Sequence, residues 1–269
     1  RKARKGGGWM TAKKADVLDL YERSVQEPES EIDVINQIWN EQRGRVATTM
    51  REDFCGTAAI AVEWVKRRTD NTSVGVDLDK DTLEWIQERL PDRLSDEERS
   101  RIKLIEGDVL ACPMGPFDMT LATNFSYFIF KTREEVLNYF KIVLDGLVED
   151  GLFILDAYGG SDSYLEMTED RDLDGFIYTW DQHFYDPVTS DVINHIHFKF
   201  PDGTKIKKAF TYEWRLWTLP EIRELLIEAG FKKAVVYWEG TEEDTGEGDG
   251  EWAESERGEA CEGWVAYIV

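Results

Sequence analysis

The chain has 269 residues, with 32 Lys and Arg against 55 Asp and Glu, a formal charge of −23 at pH 7. Phosphate backbones and anionic bilayers repel so acidic a protein, which excludes a general nucleic-acid or membrane-surface binder. With 42% apolar and 12% aromatic residues a packed core can still form, and the length suits one large domain, or one domain with an insertion.

In chain order, hydrophobic periodicity predicts helices over 11–27 and 30–43, the second opened by Ser30 and ended at Gly44. A β-like run follows at Val46–Arg51, then a helix at Thr57–Arg68, a Val-rich strand at Ser73–Leu78 and a helix at Lys80–Leu90. Ser95-Asp96-Glu97-Glu98 reads as a capping box. Strands are predicted at Ile102–Ile105 and Phe117–Thr123, a helix from Thr132 to about Gly146, and a strand at Gly151–Ala157. Strands alternating with helices of this length specify βαβ units, hence a doubly wound α/β sheet. Between Phe176 and Trp217 the rhythm breaks into three alternating segments joined by turns at Asp186-Pro187 and Pro201-Asp202-Gly203, an antiparallel β insertion. A helix from Thr218 to Gly230, a strand at Lys233–Trp238 and a final strand at Gly263–Val269 complete the pattern. The expected division is an N-terminal helical cap over 1–45, an α/β domain over 46–160 and 218–269, and the insertion over 161–217, covering the acceptor side of the site. Eleven acids and one base fall between Glu239 and Glu262, a segment expected to be a flexible, solvated loop with Trp252 as a partial anchor.

Three cysteines, Cys55, Cys112 and Cys261, lack C-x-x-C or Cys/His spacing, which argues against a disulfide framework and a structural zinc site. No run approaches the roughly 18 apolar residues of a membrane span. The expected setting is the cytoplasm, with the nucleus as an alternative suggested by the basic head Arg1–Lys5, which otherwise reads as a solvated tail. Arg1 rather than Met opens the sequence, which leaves the position of the native N-terminus open.

Ligands of doubly wound sheets bind outside the carboxyl ends of the strands. The segment Met50–Ala58 lies between the first strand and its helix, where small Gly56, Thr57 and Ala58 allow close backbone approach. Asp77 ends the next strand, where a carboxylate can accept two ribose hydroxyls. Glu106-Gly107-Asp108-Val109 follows the third strand and Asn124-Phe125-Ser126-Tyr127 the fourth.

With these four segments in this order, the sequence resembles the class I, Rossmann-like S-adenosylmethionine-dependent methyltransferases over roughly 46–160 and 218–269. The resemblance implies strand order 3-2-1-4-5-7-6 with an antiparallel seventh strand, and S-adenosyl-L-methionine as cofactor. It implies that Glu52 is the acidic start of the first motif and that Cys55, Gly56 and Thr57 line the methionine part. It further implies Asp77 as the ribose acid, Leu78 beside the adenine, Asp108 as acceptor for the adenine amine with Val109 as its neighbour, and Asn124 at the methionine amino group. Phe54 and Ala58 replace the first and third glycines of the family's loop. NAD-dependent chemistry is disfavoured by the absence of G-x-G-x-x-G and by the acid at position 52.

Methyl transfer is an in-line displacement that needs positioning more than a unique catalytic group. Tyr127 and Asp156 are the catalytic candidates, and Tyr21 and Arg51 are candidates for the cofactor carboxylate. Tyr158, Trp180, His183, His195 and Arg215 are candidates for binding the acceptor. All three histidines, His183, His195 and His197, fall in the insertion, where His195 and His197 share a face and read as hydrogen-bonded rather than metal-ligating. An aromatic stripe there, in an acidic protein, would suit a cationic amine. The expected activity is transfer of a methyl group to a nitrogen, oxygen or sulfur of a small molecule. The alternatives are a non-catalytic α/β binding protein, or a methyltransferase acting on a protein or RNA.

Overall fold

The computed structural model describes residues 10–269; the basic head falls outside the described residues. Two compact units form, one from residues 27–163 and 217–269 and a smaller one from residues 10–26 and 164–216. The N-terminal helices divide between them. α1 (Val17–Val25) belongs to the smaller unit and α2 (Pro28–Gln42) to the larger, instead of forming one cap over 1–45.

In the larger unit, β1 (Thr49–Asp53), α3 (Ala59–Arg67), β2 (Thr72–Asp77), α4 (Lys80–Arg93), α5 (Asp96–Arg99) and β3 (Ile102–Glu106) alternate as the pattern requires. β4 (Phe117–Ala122), α6 (Arg133–Asp145) and β5 (Leu147–Gly159) follow, and after the insertion come α7 (Leu219–Ala229), β10 (Val236–Thr241), β11 (Gly248–Glu254) and β12 (Trp264–Ile268). The sheet order is β11-β10-β12-β5-β4-β1-β2-β3, with β5, β4, β1, β2 and β3 parallel and β12 antiparallel to both β5 and β10. This is the expected order with one strand added at the edge. Every residue of β4 is buried, as befits a central strand covered on both faces. Alternation along β5 sends Leu152 and Ile154 to a core with Ile35, Trp39, Ile60 and Trp64 of α2 and α3. It sends Phe153 to the other face, 5.6 Å from the Phe140 ring of α6.

Local capping sets the boundaries. Ser95 with Glu98, Thr132 with Glu135 and Thr218 with Glu221 each complete a reciprocal capping box. α2 starts two residues before Ser30, because Pro28 suits the first turn and the Glu31 carboxylate reaches back to the Glu27 N–H at 3.1 Å. The acidic stretch is not a free loop. β11 runs antiparallel to β10, the Trp252 ring packs 4.8 Å from Tyr267, and Gln37 donates to the Trp252 carbonyl at 2.7 Å. Acidic side chains on this edge strand oppose pairing with another sheet edge.

The smaller unit is a four-stranded antiparallel sheet, β6 (Met167–Leu173), β7 (Phe176–Tyr185), β8 (Asp191–Lys199) and β9 (Lys205–Arg215), in sequence order. Its first strand is additional to the three expected. α1, capped by Asp16 at the Leu18 and Asp19 N–H groups, buries Leu20 against Phe176, Tyr178, Ile196 and Phe198. Among the described residues no helix is long and apolar enough to cross a membrane.

Candidate active site

Parallel register brings the carboxyl ends of β1 to β5 to one edge of the larger sheet. Asp53 lies beside Val76, Asp77 beside Glu106, and Ala122 beside Leu155. The turn after β1 is the least ordinary backbone on that edge, with Phe54, Gly56 and Ala58 all left-handed at φ near +54°, +53° and +55°. Three left-handed positions are thus held with a single glycine among them. Phe54 meets the constraint by turning its ring away, 5.7 Å from Tyr139 and 6.1 Å from Phe130. Ala58 is fully buried, and a left-handed alanine costs about 1–2 kcal/mol. Ala58→Gly relieves that cost while losing a buried methyl worth about 0.8 kcal/mol and adding freedom to the unfolded chain worth up to about 1 kcal/mol. The expected change in urea-denaturation stability is therefore close to zero, and a loss above about 1 kcal/mol would contradict the strain account.

Asp77 organises the edge. Its Oδ2 accepts the Gly56 N–H at 2.7 Å and its Oδ1 the Asp79 N–H at 2.8 Å, tying the β1 turn to the end of β2. A carboxylate has about four acceptor sites, so two remain for hydroxyl donors. Beside it Leu78 is 68% exposed, an apolar side chain standing clear at the strand end. A side chain built at Gly56 would meet nothing within 4 Å, so the space over the turn is open. Asp108 is exposed, with Oδ1 accepting the Leu110 N–H at 2.9 Å, and Val109 is buried. Open space over the turn, an apolar platform and carboxylates with spare acceptor capacity fit an adenosine with a cationic sulfonium tail.

Other candidates face inward. Glu52 is buried, and its Oε2 accepts the Ala61 N–H at 2.9 Å, capping α3 where Ala58 has no side chain to do so. Burial pushes its carboxyl well above the ordinary range, opposed by that N–H. Cys55 is a core thiol, its Sγ so near β2 that a side chain at Gly75 would approach within 2.9 Å, and burial raises its pKa further. Thr57 is buried as well. Arg51, expected at the cofactor carboxylate, is instead 6% exposed and paired to Asp53 at 2.7 Å, with its Nη1 donating to the Cys112 carbonyl at 2.6 Å. The Tyr139 hydroxyl of α6 donates to the other Asp53 oxygen at 2.8 Å. Tyr127, a catalytic candidate, is fully buried and donates to the Asp156 carbonyl at 2.7 Å, which makes it a core phenol.

The end of β4 carries a second strained pair. Asn124 and Phe125 are left-handed at φ +57° and +59°, and their N–H groups donate to Oδ2 and Oδ1 of Asp156 at 2.8 and 2.9 Å. Burial pushes the Asp156 carboxyl up to about 7, held there by the Phe125 and Asn124 N–H groups pulling it down. Tyr158 is half-buried, with its ring 4.7 Å from Phe125 and 5.8 Å from Phe128. Glu31 of α2, which the sequence pattern does not single out, is a half-buried acid raised first by burial; its charge is felt by Glu52 and Asp156.

The remaining candidates lie in the smaller unit. Tyr21 packs 4.9 Å from Phe210, and Trp180 lies 6.1 Å from Tyr212 and 6.3 Å from Trp214. Arg215 lies opposite Asp191 on the neighbouring strand. The His183, His195 and His197 rings run in file at 5.2 and 5.8 Å. His195 is buried, its Nδ1 2.8 Å from the Thr211 hydroxyl, and burial lowers its pKa. The His197 Nδ1 accepts the Lys208 N–H, which leaves Nε2 to donate to Asp181, both at 2.8 Å.

No protein-family model matches the sequence, and no curated protein matches it either. Solved structures do match in three dimensions. An S-adenosylmethionine-dependent methyltransferase from Clostridium acetobutylicum aligns with a TM-score of 0.68 at 18% identity, covering 93% of this chain and 96% of that one. The CcbJ methyltransferase from Streptomyces caelestis aligns at 0.68 and 12% identity over 94% and 95% of the two chains. An amino pentose methyltransferase from Micromonospora echinaspora, solved with S-adenosylmethionine bound, aligns at 0.66 and 13% identity over 98% and 99%. In fold, the chain is similar over nearly its whole described length to the S-adenosylmethionine-dependent methyltransferases.

Proposed function

We propose that this protein is an S-adenosylmethionine-dependent methyltransferase of a small molecule, with an amine nitrogen as the acceptor. The observation that carries the cofactor reading is the convergence of Gly56, Asp77, Leu78, Asp108 and Asn124 on one open sheet edge. Asp77 would hold the ribose hydroxyls, Leu78 and Val109 the adenine faces, Asp108 the adenine amine and Asn124 the methionine amino group. When bound, S-adenosylmethionine supplies an electrophilic methyl group on a cationic sulfur. The chain's own part is to fix an acceptor in line with it, exclude water and favour positive charge. The acids at the strand ends, Asp77, Glu106 and Asp108, suit a cationic ligand. Similar folds described as a sugar N-methyltransferase and a glycopeptide N-methyltransferase support the choice of an amine on a small molecule.

The test is a screen of amines, phenols and thiols with methyl-labelled cofactor, with Asp77→Ala as control. Label is expected on an amine with the parent protein and not with the variant. Equal transfer by Asp77→Ala would contradict the assignment.

A further inference from the structure

Two consecutive residues other than glycine in the left-handed region are costly, and such strain persists only where the surroundings enforce it. At Asn124 and Phe125 the enforcing group is one side chain. Both Asp156 oxygens are committed, one to each N–H, and the backbone carbonyl of the same residue takes the Tyr127 hydroxyl, so Asp156 grips the turn after β4 at three points. Asp156 is only 7% exposed, in the strand between β4 and β12. The turn it holds includes Asn124 and sets Phe125 against Tyr158.

Resting on the methyltransferase reading above, we infer that Asp156 is a positioning residue, a latch that holds Asn124 and Phe125 left-handed and so shapes the cofactor edge, and that it is not the proton acceptor of the reaction. An ionised carboxylate is needed for this work. Protonation turns one of the two oxygens into a hydroxyl, a poorer acceptor for its N–H, and an amide in its place directs a donor at one of the two N–H groups. The groups facing Asp156 are Glu31 from α2, the Tyr127 phenol from the turn after β4 and Tyr267 from β12, alongside the two backbone N–H donors. Burial pushes the Asp156 carboxyl up to about 7, so the carboxylate form that holds both N–H groups, and with it the latch, is favoured as pH rises through neutrality.

The test uses S-adenosylhomocysteine, whose binding involves no proton transfer to a base. Its affinity for the parent protein is expected to rise between pH 6 and 8, and Asp156→Asn is expected to bind roughly ten- to hundredfold more weakly at pH 8 with a flat pH profile. Unchanged affinity in Asp156→Asn, with only turnover lost, would make Asp156 a base and overturn the inference. A second readout needs neither cofactor nor variant. The Asn124 and Phe125 amide resonances of the free parent protein should titrate together with an apparent pKa near 7, and their indifference to pH would overturn the latch. If those amides titrate but no S-adenosylhomocysteine binds at any pH, the latch stands and the methyltransferase reading fails.

Discussion

Asp53→Ala is expected to destabilise the protein by about 4 kcal/mol, because removing one partner of a buried ion pair costs about 3–5 kcal/mol. Arg51 and Asp53 have side chains 7% and 1% exposed and lie 2.7 Å apart, and the second Asp53 oxygen is the acceptor for the fully buried Tyr139 hydroxyl. The substitution leaves a buried guanidinium with carbonyl partners but no counter-charge, and a phenol with no acceptor. The pair is not thereby a net source of stability. Burial outweighs Arg51 and leaves the Asp53 carboxyl raised. A raised folded-state pKa makes the Asp53 contribution largest at acid pH, and it declines as pH rises through the folded value. Tyr139→Phe should therefore cost only about 1–2 kcal/mol. The apolar triple Arg51→Met, Asp53→Leu, Tyr139→Phe should lie closer to the parent than Asp53→Ala does. Chemical denaturation of the three variants checks this, and a triple variant less stable than Asp53→Ala would contradict it.

Asp77→Ala should weaken S-adenosylhomocysteine binding at least a hundredfold, since two hydrogen bonds to a charged acceptor are worth roughly 1.5–3 kcal/mol each and about 1.4 kcal/mol is tenfold. It also removes the tie between the Gly56 N–H and the end of β2. The stability cost is smaller, about 1–2 kcal/mol, because Asp77 is only partly buried and both freed N–H groups can reach water. Asp77→Asn keeps one oxygen acceptor and should fall between. Calorimetric titration separates the effects: a stability loss with unchanged affinity would leave Asp77 a purely structural residue.

The α/β rhythm was legible because it is written locally. Three capping boxes fix helix starts through residues three apart, and period-two or fully apolar runs mark β2, β4 and β5. β6 escaped because it carries Thr168, Glu169, Asp170, Arg171 and Asp172 with no apolar alternation. Its order comes from across the sheet, where Asp170 takes the Thr179 hydroxyl and Lys199, and Arg171 lies over the Tyr178 ring. β11 was hidden for the same reason, a Gly- and acid-rich stretch held by Trp252. At the candidate site, strand ends place residues on an edge, but which face each side chain takes depends on partners far along the chain. Arg51 is decided by Asp53 together with a tyrosine 86 residues beyond that acid, and the missing glycine at Phe54 is accommodated by rings of Phe130 and Tyr139. Such pairings leave no short-range pattern. The same holds for Asp156, whose place at the end of β5 is readable while its grip on the turn after β4 is not.

On the proposed reading, the open edge formed by the ends of β1 to β4 holds S-adenosylmethionine. Isothermal calorimetry of S-adenosylmethionine and S-adenosylhomocysteine against the full chain addresses it most directly. One-to-one binding in the micromolar range is the predicted result, and no heat of binding from either ligand at millimolar concentration would contradict a cofactor site at this edge.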